Sequence, residues 1–163
     1  MIQQICNWLE ATALSHALQN ISWAVPVIQT IHILGIATVV SSMGMLGLRL
    51  LGMAGRQQTI KAVGARFLPW MWRALVVMAI SGVLLIIAEP KRALPNAAFQ
   101  TKMIMLVCVL GVSLFIQHSI VKTDSRWERG EPLHTTIVAK AAGLTILIAW
   151  VGIVVAGRWI AYL

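Results

Sequence analysis

Four long apolar runs constrain this chain more than any other feature. They extend from about 21 to 51, 67 to 88, 103 to 121 and 135 to 156. Crossing a hydrocarbon core of about 30 Å takes about 20 helical residues, and each run is close to that length or longer. In lipid a lone segment satisfies its own backbone only as a helix, and the runs lack the alternation of a barrel strand. The chain is 59% hydrophobic and 11% charged, where a soluble domain carries about 25% charged residues. That apolar excess is too large for one globular core. The sequence predicts an all-α fold, an integral membrane four-helix up-down bundle in residues 21–163.

Residues 1–20 read differently. Ile5, Trp8, Leu9, Ala13 and Leu14 recur near helical spacing with polar residues between them, the pattern of one amphipathic helix lying on a membrane surface. This stretch has no Lys or Arg and no unbroken apolar core, so no cleavable signal peptide is expected and the first span itself directs insertion.

The formal net charge is +8, and its placement decides what it means. Arg49, Arg56, Lys61, Arg66, Arg73, Lys122, Arg126, Arg129 and Lys140 fall on one side of the four spans; Lys91, Arg92, Lys102 and Arg158 fall on the other. The richer side is expected in the cytoplasm. That makes the chain a multi-pass inner-membrane protein with both termini periplasmic. No basic stripe with interleaved aromatics is present, so nucleic acid is not an expected partner. Most tryptophans, Trp8, Trp23, Trp70, Trp72, Trp127 and Trp159, fall near span ends, as an aromatic belt does.

Enzyme signatures are absent: no phosphate-binding Gly loop, no HExxH, no GxSxG and no CxxC or CxxCH. Cys6 and Cys108 read as small apolar fillers. The dispersed methionines read as core fillers rather than a copper site. Glu10, Glu89 and Arg158 lie near one boundary, where Arg158 is a candidate partner for either carboxylate.

The histidines carry the chemistry that remains. His32 and His118 fall inside the first and third runs, and His16 and His134 near boundaries. An ionisable group within a span usually faces a bundle interior or a cavity. Gln29, His32, Gly35, Val39, Ser42, Leu46 and Arg49 share one helical stripe, and Cys108, Gly111, Phe115, His118 and Lys122 share another. Neutral imidazoles from facing helices are usual axial ligands of b-type haem. One reading is therefore a cytochrome b-like electron-transfer protein or membrane oxidoreductase, with His32 and His118 on the iron. Gly35 and Gly111 would make room for the macrocycle, Arg49 or Arg158 would neutralise propionates, and a quinone or redox protein would be the partner. The two histidines differ in depth by roughly 6 Å, which helix tilt would have to close. A two-haem variant pairs His16 with His32 and His118 with His134. The alternatives are a haem-free accessory or structural subunit of a membrane complex, or a small oligomeric transporter using His32 and Gln29. Small-residue faces leave room for homo-oligomers.

Several segments resemble a family. They are Trp8-Leu9-Glu10 with Thr12 and Ser15; Trp23, Pro26, His32 and Gly35; Leu48-Arg49-Leu50-Leu51-Gly52; Asn96, Phe99 and Lys102; and Gly157 through Tyr162. Together they resemble an uncharacterised family of small four-helix bacterial membrane proteins, a domain of unknown function. The resemblance implies a four-helix inner-membrane bundle and no established activity. It implies histidines at the positions of His32 and His118, not at those of His16 and His134. It also implies an acidic residue where this chain has Gln29.

Overall fold

A computed structural model describes residues 2–55, 57–118 and 133–159. Most of those residues are helical, with no strand among them: α1 (Ile2–Glu10), α2 (Ala13–Asn20), α3 (Ala24–Leu50), α4 (Ile60–Ala88), α5 (Pro90–Ala93), α6 (Ala97–Ile116) and α7 (Leu133–Trp159). The 27-residue α3 and 29-residue α4 have mean hydropathies of 1.8 and 2.2 and are long and apolar enough to cross a membrane. Helices α6 and α7 carry shorter apolar stretches, Phe99–Phe115 and Ala139–Val155.

The amphipathic stretch is two helices, not one. The Thr12 hydroxyl donates to the Leu9 carbonyl at 2.6 Å and accepts from the Ser15 amide at 3.3 Å. One side chain so closes α1 and caps α2, because a short hydroxyl competes well for backbone groups at a helix end. Both helices dock on the corner between α4 and α5. Cys6, Ser15, Ala88 and Pro90 are all buried there. The Cys6 thiol points at the Pro90 carbonyl (3.6 Å), and the Gln19 amide donates to Ser15 Oγ (3.1 Å) and the Ala88 carbonyl (2.9 Å). Lys91 pairs with Glu10 across the same junction.

The second apolar run becomes a helix seven residues earlier than its hydropathy suggests. Thr59 caps α4, accepting from the Ala62 amide at 3.1 Å, and Val63, Gly64 and Leu68 are buried before or near Pro69. The α3–α4 loop is correspondingly short. Gly52 takes φ +74°, and its amide returns to the Arg49 carbonyl (3.0 Å) while Met53 returns to Leu48 (2.9 Å). This is a Schellman cap, which requires the left-handed conformation glycine adopts without strain. Arg49 Nε donates to the Gln58 carbonyl at 2.7 Å and ties the loop across.

Helix α3 packs on α4 and on α7, and α6 packs on α7. A single cluster runs through them, with Val39, Met43, Leu46 and Leu50 on α3, Met71 on α4, Val109 on α6, and Ile146, Trp150 and Ile153 on α7. The outward faces are apolar as well: Leu34, Val76, Val107 and Ile148 are 62%, 60%, 70% and 64% exposed. At the α3–α7 crossing the two backbones themselves come close. A Cβ on Gly143 would sit 2.7 Å from the Gly47 carbonyl oxygen and 2.9 Å from Leu50 Cβ. Only a hydrogen fits there. By contrast, a Cβ on Gly44 would meet nothing within 4 Å.

Gly143→Val is therefore expected to destabilise the fold by about 1–3 kcal/mol, the usual cost of overpacking. Gly44→Ala should leave stability unchanged or raise it. Thermal unfolding of the two purified variants checks this, and equal melting temperatures would remove the crossing from its central place.

Candidate functional site

His32 is half-buried on α3 and faces α4. Its Nδ1 lies 2.8 Å from Ser81 Oγ. The Ser81 hydroxyl also has the Val77 carbonyl within reach (2.7 Å), with Met78 at 3.3 Å. Donor and acceptor roles across the His32–Ser81 contact depend on the imidazole tautomer. Ser81 is buried, and the ring lies over Gly82, where a Cβ would stand 3.5 Å from His32 Cε1. The α3 stripe faces inward through Gly35, Val39, Ser42 and Leu46, while Gln29 at its start is exposed.

The other candidates lie elsewhere. Met78 lies beside Gly35, with Cγ 2.6 Å from where a Cβ would be. Gly111 opens outward with nothing within 4 Å. Cys108, Phe115 and His118 are exposed with it, so the stripe expected to face inward is an outer face of α6. Helix α6 widens into a π turn at Gln117 and His118, and Gln117 Oε1 accepts from Trp72 Nε1 on α4 at 3.2 Å. His118 is thus near the level of Trp72 and His32 at the level of Ser81. Those α4 positions are nine residues, about 13 Å, apart along the helix. Two axial ligands of one haem must flank the same iron. The structure does not bring these two histidines to one level.

His16 is exposed on α2, which Gln19 anchors to Ala88, seven residues beyond Ser81 along α4. His134 is in the first turn of α7; its side chain, like those of Lys102 and Arg158, lies outside the described residues. Arg49 holds the loop through Gln58. The two carboxylates considered for Arg158 have other partners: Glu10 pairs with Lys91, and Glu89 with Arg92 at 3.2 Å. Among the described residues, no group of three His, Cys, Asp or Glu side chains could hold a metal ion. Sequence reasoning missed Ser81. The signal was a Ser-Gly pair midway along an apolar run, placed opposite His32 when α3 and α4 run antiparallel.

What this arrangement does chemically is clamp two apolar helices with a polar contact. Ser81→Ala would remove the hydroxyl that faces His32 Nδ1. A double-mutant cycle with His32→Ala and Ser81→Ala is expected to give a coupling of about 0.5–1.5 kcal/mol. A coupling indistinguishable from zero would mean that the contact contributes nothing.

No curated protein and no solved structure matches this chain. A family model matches residues 7–163, which takes in α2 to α7 and every candidate residue above, and the chain belongs to that family, DUF6644, a family of unknown function.

Proposed function

We propose that this chain is a four-span integral membrane protein that works as a haem-free accessory subunit, holding a partner within the bilayer by helix packing. The spans are α3, α4, α6 and α7, with the α3–α4 loop on the cytoplasmic side and both termini periplasmic. The observation that carries the reading is the apolar surface on both the inner and outer faces of these helices. Exposed Leu34, Val76, Ile80, Val107 and Ile148 are costly in water and neutral in lipid. The polar groups within the helices fit the same setting. Thr30, Thr38, Ser81, Thr101 and Thr145 each return a hydroxyl to a carbonyl of their own helix, as a segment without access to water requires. The charge placement supports the orientation.

The accessory role is favoured by how the intramembrane polar groups are spent. His32 is used between α3 and α4, and the space beside Gly35 is occupied by Met78. The outer face of α6, with open Gly111 and exposed Val107 and Phe115, is the surface offered to a second copy or a larger complex. A second reading, a b-type cytochrome with His32 on the iron and a quinone or redox protein as partner, is favoured by one observation. Ser81 Oγ stands 2.8 Å from His32 Nδ1 and orients the ring, as second-shell groups do for metal-bound imidazoles. It needs a second ligand from a neighbouring chain, because His118 lies at another level.

Two measurements test these readings. Membranes containing the chain are washed with alkaline carbonate; a four-span protein stays in the pellet until detergent is added, and release into the supernatant would sink the architecture. The detergent-purified protein, expressed with haem supplied, is then scanned oxidised and dithionite-reduced. The accessory reading expects a featureless visible spectrum. A Soret band with reduced α and β bands, lost in His32→Ala, would replace it with the cytochrome.

A further inference from the structure

The beginning of α4 and the end of α6 enclose an open groove of about 460 Å³ that includes Lys61, Ala65, Leu68, Pro69, Trp72 and Gln117 in its walls. Its length is set by α4. Lys61 and Trp72 are eleven residues apart, about 16 Å along the helix. The two ends differ in chemistry. Lys61 sits in the first turn of α4, which holds no acidic residue, so its ammonium adds to the positive end of the helix dipole. Below it the wall is apolar through Leu68 and Pro69. Pro69 also lacks the N–H that would bond the Ala65 carbonyl, so an acceptor in the groove loses its usual helical partner. At the far end the Trp72 indole is held by Gln117.

The geometry points to an anionic phospholipid bound in this groove, its phosphate on Lys61 and an acyl chain along Leu68, Pro69 and Trp72. The assignment rests on the four-span reading, which puts Lys61 at headgroup level and Trp72 deeper. Charge at one end and apolar wall below match the division within a phospholipid. A soluble anion would use the Lys61 end and leave the apolar wall uncovered. A zwitterionic lipid would carry its own cation against Lys61.

The test uses the full chain in detergent. Its melting temperature is followed while phosphatidylglycerol, phosphatidylcholine with the same acyl chains, or inorganic phosphate is added. Phosphatidylglycerol is expected to raise it at concentrations where the other two do not. Lys61→Gln should shift the midpoint of that response about fivefold higher, the effect of one lysine at an anionic surface. Lys61→Arg should restore it. Ala65→Leu, which fills the groove from an exposed position, should abolish it without Lys61 being touched. Equal responses to the two lipids, a response reproduced by phosphate, or a midpoint unchanged in both Lys61→Gln and Ala65→Leu would overturn the assignment. The carbonate wash separates the two failures: a chain that stays in the membrane but shows no lipid preference loses the groove assignment alone.

Discussion

The backbone contact between Gly47 and Gly143 sets where everything else goes. With no side chain on either residue, α3 and α7 meet carbonyl to Cα. That brings Leu46 and Leu50 into the same buried cluster as Ile146. Helix α3 then has α7 on one side and α4 on the other, and α6 joins through α7. On the proposed four-span reading, apolar side chains gain nothing by leaving lipid for protein, so close approach and dispersion do what burial from water does elsewhere. Glycine at the crossing is the means. His32 with Ser81 adds a directional contact on the other face of α3.

The helices were legible in the sequence because long apolar runs admit little else. Their ends were less so. Lys61 and Arg66 look like loop residues by hydropathy, yet α4 begins at Ile60, because Thr59 offers a cap and Val63 and Leu68 have a core to enter. Long basic side chains at the end of an apolar helix reach outward without breaking it. The division of the N-terminal stretch at Thr12 was missed for a similar reason: a capping hydroxyl leaves no mark in a hydrophobic pattern.

The candidate site was legible in half. On α3 the small and polar stripe through Gly35 and Ser42 does face inward. On α6 the same reasoning failed. Cys108, Gly111, Phe115 and His118 share a face, but α6 is so uniformly apolar that a stripe says which residues lie together, not which way they look. The inner side of α6 carries Val109 and Ser113 instead. Ser113 Oγ and, on α7, Trp150 Nε1 are buried polar atoms without a partner among the described residues. No periodicity argument marks such atoms in advance.

The docking of α1 and α2 has a consequence for how the chain is made. Cys6 settles against Pro90, 84 residues later in the sequence, and Gln19 against Ala88, 69 later. At ribosomal rates of about 5–20 residues per second, residue 6 has been polymerised for roughly 4–17 s before its partner exists. Through that interval Cys6 and Gln19 lack these partners. The segment built first waits for α4 and α5 before it can dock, and its docking reports that the α4–α5 corner has formed.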